Sequence, residues 1–321
     1  MIFDKIVGNE DVKSFLKNAL KNNNLSNSLL FSGPDGIGKS LFAKALAATL
    51  MYPDGVSDVN LKKIDQENHP DLHVYKPEGK TQMHLISSVR NLIEEVHLAA
   101  FEAKAKVFII LDAERMQPVS FNALLKTLEE PTFDSYIVLI TSSQEDVLPT
   151  ILSRCAKISF NLIEDEKIEK FVIEKFQKPE TDAKRIAKLS FGTIANAISI
   201  INSQKRKNQN LLKILSKRFS SYFEFQDLLK KIEEENQNFK DVNFIFLQIL
   251  MWYRDLYLLK EKADEKFLFF FEEKKLLKDF DLKKIPKLEN VFKYIQDAKK
   301  GIVRNIKLTH ALENVFLKLI F

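Results

Sequence analysis

The fold of this chain is decided by the stretch Gly33-Pro34-Asp35-Gly36-Ile37-Gly38-Lys39-Ser40, which matches the phosphate-loop pattern G-x-x-x-x-G-K-S/T. Its glycines let the backbone curl so that N–H groups face a phosphate, and a helix that starts at the end of the loop favours an anion there. In this pattern Lys39 reaches the β- and γ-phosphates, and the hydroxyl of Ser40 binds Mg²⁺. We therefore expect ATP with Mg²⁺ to be held by Gly33, Gly36, Gly38, Lys39 and Ser40.

The sequence on both sides of this loop predicts an α/β domain with a parallel sheet. Short apolar runs of strand length occur at residues 29–31, 107–111, 136–140 and 158–160. The segments between them are long enough for helices, as parallel strands require. The second run is followed by Asp112, and a carboxylate at the end of such a strand supports the Mg²⁺ of a phosphate loop.

The second half of the chain reads as helical. Residues 164–202 have the pattern of short helices interrupted by Pro179 and Gly192, and residues 211–321 contain two helix breakers, Pro286 and Gly301. We predict three domains: an ATPase-like α/β domain at 1–162, a small helical lid at 163–207 and a larger helical domain at 208–321.

Composition and cysteine content limit the class of protein. Of the 321 residues, 45% are hydrophobic and 29% are charged, which is typical of a globular chain. No apolar run approaches the roughly 20 residues that span a bilayer, and the first residues lack the pattern of a secretion signal. Cys155 is the single cysteine, which excludes a disulfide within the chain and a cysteine-based zinc site. We expect a cytoplasmic protein.

The charge is unevenly distributed along the chain. Residues 1–160 carry a net charge of −3 and residues 161–321 carry +8. Lysine-rich, solvated helix faces explain this asymmetry best, because acidic residues are interleaved with the basic ones. A stand-alone DNA-binding protein is the alternative, although the second half contains no recognisable DNA-binding motif.

Two further stretches resemble the clamp-loader family of AAA+ proteins, which includes replication factor C and the bacterial gamma/tau and delta-prime subunits. The first is Phe121-Asn122-Ala123-Leu124-Leu125-Lys126-Thr127-Leu128-Glu129-Glu130. The second is Leu148-Pro149-Thr150-Ile151-Leu152-Ser153-Arg154-Cys155, which ends in the family's Ser-Arg-Cys tripeptide. The resemblance is detailed over residues 1–200. It implies an AAA+ α/β domain, a helical lid and a helical collar domain through which subunits assemble.

The resemblance also implies roles for residues and partners. Arg154 matches the arginine finger, which acts on ATP bound to a neighbouring subunit. Thr141 and Ser142 stand where the family keeps its first sensor, and Cys155 is expected to be a small buried residue. The implied partners are the gamma/tau motor subunits and the delta subunit, with the sliding clamp and primed DNA engaged by the assembly.

Three departures from the motor subunits indicate a non-motor stator within DNA polymerase III. Residues 51–70 contain no cysteine, so the motors' zinc module is missing and no zinc is expected. Ala113 replaces the catalytic glutamate, and Glu114, one residue late, is expected to point elsewhere. Ala195 replaces the arginine of the second sensor. We expect nucleotide binding with little or no intrinsic hydrolysis; the alternative is an active gamma/tau-like motor without the zinc module.

Overall fold

The chain forms two compact units, residues 1–197 and residues 198–321. Our predicted boundary near residue 207 lies outside the described residues, and the division into three domains stays a prediction. The computed structural model describes residues 2–78, 83–130, 134–203, 209–235, 239–271, 273–303 and 306–320.

The first unit contains a five-stranded sheet in the order β2-β3-β4-β1-β5, with every neighbouring pair of strands parallel. This arrangement confirms the predicted α/β fold. The strands are β1 Ser28–Ser32, β2 Leu72–Tyr75, β3 Lys106–Ile110, β4 Ser135–Thr141 and β5 Ala156–Ser159.

Sequence patterns located four of these five strands. The predicted runs at 29–31, 107–111 and 136–140 coincide with β1, β3 and β4 to within one residue. Strand β5 begins two residues before the predicted run at 158–160. Strand β2 was not predicted. It is a four-residue edge strand, mostly half-buried, and it has no continuous apolar run because His73 interrupts it.

Nine helices of the described residues accompany the sheet, and two of them show their starting signals clearly. The side chain of Ser57 caps α3 by accepting a hydrogen bond from the Asn60 N–H at 3.2 Å. Helix α5 has Pro118 in its first turn, where a missing N–H costs nothing. The helices are α1 Glu10–Lys21, α2 Lys39–Met51, α3 Asp58–Asp65, α4 Ile86–Val96, α5 Pro118–Glu129, α6 Pro149–Leu152, α7 Asp165–Phe176, α8 Glu180–Leu189 and α9 Ile194–Ser203.

Apolar side chains cover both faces of the sheet. Leu29 and Phe31 of β1 enter one buried cluster, where they meet α2, and Leu30 enters a second cluster formed with α4 and α5. Alternate residues of a strand point to opposite faces, so a strand buried on both sides has an uninterrupted apolar sequence. This three-layer packing fixes the ends of the central strands, where the predicted site residues lie.

The second unit is helical, as the sequence indicated. Its core includes the buried side chains of Trp252 and Tyr253, and the rings of Phe225 and Phe316 meet at 6.2 Å between centroids. Among the described helices none is both long and apolar enough to cross a membrane. The helices are α10 Gln209–Leu215, α11 Tyr222–Glu235, α12 Phe239–Lys260, α13 Lys274–Lys278, α14 Leu288–Val303 and α15 Leu308–Ile320.

Candidate nucleotide site and arginine finger

The candidate site lies where three adjacent strands end. Strand β1 leads into the phosphate loop, β4 ends at Thr141, and β3 is followed by Asp112. Because the strands are parallel and neighbouring in the order β3-β4-β1, their carboxyl ends meet at one edge of the sheet. Crevices at this edge are where ligands bind in open α/β folds.

The phosphate loop is closed on one side by the start of α9. Gly36 has φ +78°, and a Cβ added there would come within 2.5 Å of the Cβ of Ala195. The carbonyl of Gly36 accepts a hydrogen bond from the Ala195 N–H at 3.1 Å. Ala195, which we expected in place of a second-sensor arginine, therefore contacts the loop directly.

Lys39 is folded back onto the phosphate loop and is only 6% exposed. Its ammonium donates to the carbonyl oxygens of Gly33 at 2.5 Å and Pro34 at 2.9 Å. Burial lowers the pKa of Lys39, while the nearby carboxylates of Asp35 and Glu114 oppose that shift. A bound phosphate would offer the ammonium a stronger acceptor than these carbonyls.

Asp112 stands two residues beyond the last residue of β3, in the left-handed backbone region with φ 49°. Burial raises the pKa of its carboxyl, and the charges of Arg115 and Lys39 counteract that rise. The carboxylate is thus close enough to Lys39 to interact with it electrostatically, as a Mg²⁺-supporting residue of this site should be.

The expectation that Glu114 points away from the site is wrong. Its Oε1 accepts hydrogen bonds from the Ser142 N–H at 3.1 Å and from the Ser142 hydroxyl. The strand does not continue past Asp112, because the backbone turns there into a 3-10 helix, Ala113–Arg115. Strand periodicity therefore does not apply to Glu114, while Ala113 is fully buried in the core cluster beneath α5. No sequence pattern that we used signals this turn.

The two residues that we expected at the first-sensor position have different local roles. Thr141 is fully buried, donates its hydroxyl to the carbonyl of Ser143 at 2.8 Å and accepts from the Ser143 N–H at 3.1 Å. Its own carbonyl accepts from the Gly33 N–H at 3.3 Å, which ties β4 to the start of the phosphate loop. Ser142 is exposed and is held by Glu114.

The residues present fit a nucleoside triphosphate with Mg²⁺. The first N–H groups of α2 have no partner within the helix, and Gly38, directly before it, has φ +104° with nothing closer than 3.9 Å to an added Cβ. Lys39 and the loop N–H groups would hold the phosphates, and Ser40 and Asp112 would hold the metal ion. Bound Mg²⁺ would neutralise charge on the phosphates.

Arg154 lies in the short connection between α6 and β5 and not at the nucleotide edge. Its Nε donates to Oε1 of Glu129 at 2.6 Å, Nη2 donates to the same oxygen, and Nη1 donates to the carbonyl of Thr150 at 2.8 Å. The neighbouring Cys155 is 8% exposed, and burial raises the pKa of its thiol to about 12. A thiol held protonated is a poor nucleophile, which confirms Cys155 as a buried packing residue.

Comparison with known proteins identifies sequences that are similar to this chain. A family model described as DNA polymerase III, delta subunit, matches residues 8–164. The chain is 28% identical over 322 residues to the DNA polymerase III subunit delta' of Bacillus subtilis, an alignment that covers 96% of this chain and 95% of that protein.

Several gamma and tau subunits are similar in sequence to part of this chain. The gamma subunit of Buchnera aphidicola is 28% identical over 208 residues, covering 62% of this chain and 57% of that protein. The tau subunit of Escherichia coli is 31% identical over 210 residues, covering 62% of this chain and 32% of that protein. A gamma subunit-related protein of Thermotoga maritima, of known structure, aligns with a TM-score of 0.46 and 17% identity over 94% of this chain and 97% of that one. On its sequence relatives, the chain is similar to the delta-prime clamp-loader subunits of DNA polymerase III.

Proposed function

We propose that this chain is a delta-prime-type stator, which helps to load the sliding clamp onto primed DNA by supplying Arg154 to the ATP site of a neighbouring subunit. Its partners in this proposal are the gamma/tau motor subunits and the delta subunit, with the clamp and DNA engaged by the assembly. Alignment over nearly the full length of both chains with a delta-prime subunit supports the stator type over the motor type, since the gamma and tau sequence alignments cover 52% to 80% of this chain.

The position of Arg154 relative to the strands of the sheet is the observation that carries the proposal. Strands β1 and β5 are parallel, with Leu29 opposite Ala156, so Arg154 lies at the end of the sheet where these strands begin. The phosphate loop starts at Gly33, after β1 has ended. Gly33 follows Leu29 by four residues, which correspond to about 13 Å along the sheet at the rise of a β-strand. This separation supports a role of Arg154 at another chain's nucleotide rather than at its own.

We further propose that the chain's own site binds ATP with Mg²⁺ and hydrolyses it slowly. Support comes from the complete phosphate loop at 33–40 combined with Ala113 and Ala195 at two catalytic positions. Phosphate contacts determine binding, whereas the missing groups act on the attacking water and on charge in the transition state. Their loss affects the rate more than the affinity.

Replacing Arg154 by alanine tests the trans role. An arginine finger stabilises charge that grows in the transition state, so Arg154→Ala should leave assembly intact and lower clamp- and DNA-stimulated hydrolysis by about 10-fold or more. Arg154→Lys should rescue poorly, because an ammonium lacks the planar fork of donors. Steady-state hydrolysis by reconstituted complexes, with assembly checked by mass, measures both effects.

Arg185→Ala is the matched control for this experiment. Arg185 lies on α8 with a similarly accessible side chain, 23% against 30% for Arg154, and it also contacts a carboxylate, that of Asp182. It should leave hydrolysis unchanged. A fully assembled Arg154→Ala complex that hydrolyses ATP at the normal rate would contradict the trans-finger assignment.

A gamma/tau-like motor is the second candidate, and the carboxylate of Glu114 at the site favours it. Glu114 contacts Ser142 and interacts electrostatically with Lys39, so it is available to polarise a water. The motor function requires brisk ATP turnover by the isolated chain. Glu114→Gln should lower this turnover. Glu145→Gln should leave it unchanged, because Glu145 is an exposed residue after β4. Slow turnover with measurable binding of a fluorescent ATP analogue is the result expected of the stator.

A further inference from the structure

The guanidinium of Arg154 is fully engaged within its own chain. Nε and Nη2 donate to Oε1 of Glu129, while Nη1 donates to the carbonyl of Thr150 at 2.8 Å and to the hydroxyl of Ser153 at 3.3 Å. All three nitrogens therefore have an acceptor among the described residues. A guanidinium meets a phosphate with two parallel N–H groups, and the Nε–Nη2 edge that would do so is occupied by Glu129.

We propose that Glu129 is a clasp that holds the arginine finger against its own domain until assembly places a neighbour's nucleotide beside it. The inference rests on the proposed trans role of Arg154 and adds its regulation. Glu129 is the last residue of α5, so the clasp joins the end of that helix to the connection between α6 and β5, 25 residues further along the chain.

The charges of the pair explain why the clasped finger is inactive. A carboxylate in contact with the guanidinium cancels its positive charge towards a distant anion. The finger acts by stabilising negative charge that develops on the transferring phosphoryl group. It must therefore exchange the carboxylate of Glu129 for phosphate oxygens before it can contribute to hydrolysis.

Accessibility makes the clasp easy to open. The side chain of Arg154 is 30% exposed and that of Glu129 is 46% exposed, so water and salt screen the pair. Exposed ion pairs are weak, and their energies correspond to about a 1.5- to 5-fold change in an equilibrium constant. A triphosphate carries several negative charges, so it can displace a single carboxylate.

The first experiment observes the clasp in the isolated full-length chain. The Nε–H signal of Arg154 in a ¹H–¹⁵N spectrum is assigned by its disappearance in Arg154→Lys, and its exchange with water is measured. We expect exchange to become several-fold faster in Glu129→Ala and in Glu129→Gln. The control is Glu130→Gln, an exposed glutamate next in the chain, which should leave exchange unchanged. Equal exchange in all these proteins would overturn the clasp.

The second experiment measures hydrolysis by complexes reconstituted with the motor and delta subunits. Without clamp and DNA, Glu129→Gln should raise the rate by about 1.5- to 5-fold, and Glu130→Gln should not. Combining Glu129→Gln with Arg154→Ala should abolish the increase, because Glu129 acts only through the finger. An unchanged or lower rate in Glu129→Gln, or an increase that persists without Arg154, would overturn the proposal.

The two experiments also separate this inference from the proposed function. If the complex with Arg154→Ala hydrolyses ATP at the normal rate while Glu129 still slows exchange at Arg154, the assignment of Arg154 as a trans finger is wrong. The regulatory role of the clasp is then wrong as well. If Arg154→Ala lowers hydrolysis but Glu129→Gln changes neither exchange nor rate, the finger stands and the clasp is overturned.

Discussion

At the scale of single residues, Ala113 and Ala195, which we expected at two catalytic positions of the motor subunits, have different surroundings. Ala113 is fully buried in an apolar cluster, whereas Ala195 is exposed and its N–H donates to the carbonyl of Gly36. A glutamate at 113 would bury an ionised carboxylate among apolar side chains, which is strongly unfavourable.

The contact between Gly36 and Ala195 yields a prediction about stability. Gly36→Ala should lower the free energy of unfolding by about 1–3 kcal/mol, because alanine is strained at a positive φ and its Cβ would overlap that of Ala195. Urea unfolding measures the loss. Adding Ala195→Gly removes the overlap and leaves the backbone strain, so the double variant should recover part of the stability. Equal losses with and without Ala195→Gly would show that the two side chains do not meet.

At the scale of elements, a buried carboxylate holds the phenylalanine-rich segment 267–271 to helix α12. Asp255 is completely buried, and its Oδ2 accepts from the Phe270 N–H at 2.8 Å. Its Oδ1 meets Nη1 of Arg254 at 3.1 Å, and the same Nη1 donates to the carbonyl of Phe267 at 3.1 Å. Burial raises the pKa of Asp255 to about 7, although these hydrogen bonds and the Arg254 charge oppose the shift.

The raised pKa of Asp255 predicts how stability depends on pH. Between the unfolded value, near 4, and about 7, the folded chain holds a proton that the unfolded chain has released. The contribution of Asp255 to the free energy of unfolding is fully present below about pH 4. It falls by up to about 1.4 kcal/mol per pH unit as the pH rises from 4 towards 7, and it is lost above about pH 7. Asp255→Asn removes the titration but keeps an oxygen acceptor. Urea unfolding of both proteins from pH 5 to 8 should show a difference that changes with pH.

A matched variant isolates the buried group from the rest of the protein. Asp279 carries an exposed carboxylate in the same unit, 72% accessible, so Asp279→Asn should leave the pH dependence of unfolding as it is in the parent chain. Parallel pH profiles for the parent chain and Asp255→Asn would contradict the raised pKa.

At the scale of the whole molecule, the two units have different proposed roles. All candidate nucleotide and finger residues lie in unit 1–197, and we expect the helical unit 198–321 to mediate assembly. The apolar runs at 244–252 and 267–271 bury most of their large side chains within this unit. Phe246, Trp252 and Phe270 are at most 1% exposed and form the unit's own core. Phe223, 86% exposed at the start of α11, is a surface residue instead.

Removing the helical unit should separate folding from assembly. A chain that ends after residue 203 retains the whole of unit 1–197 and all of α9, so it should unfold cooperatively on its own. It should fail to co-purify with motor and delta subunits if the helical unit makes the main contacts. The full-length chain with Phe223→Ser is the companion variant, which tests whether that exposed side chain contributes. A complex retained by the truncated chain would place the main contacts in the α/β unit.

The sequence by itself determined the parts of this protein that depend on local pattern. The phosphate loop follows from the spacing of Gly33, Gly38 and Lys39, and the central strands follow from apolar runs that are buried on both faces of a sheet. The helical second half follows from apolar residues at helical spacing, and the resemblance to clamp loaders follows from the strings around Leu124 and Arg154. Each of these signals lies within about a dozen residues, the range over which strand and helix periodicity act.

Only the tertiary structure decided the contacts that join distant parts of the chain. The edge strand β2 is a strand because β3 pairs with it, although its own four residues carry little signal. Glu114 reaches Ser142 because the backbone turns at Asp112, and Gly36 meets Ala195 because α9 returns to the loop. Such contacts depend on how helices and strands pack against each other, which local periodicity does not encode.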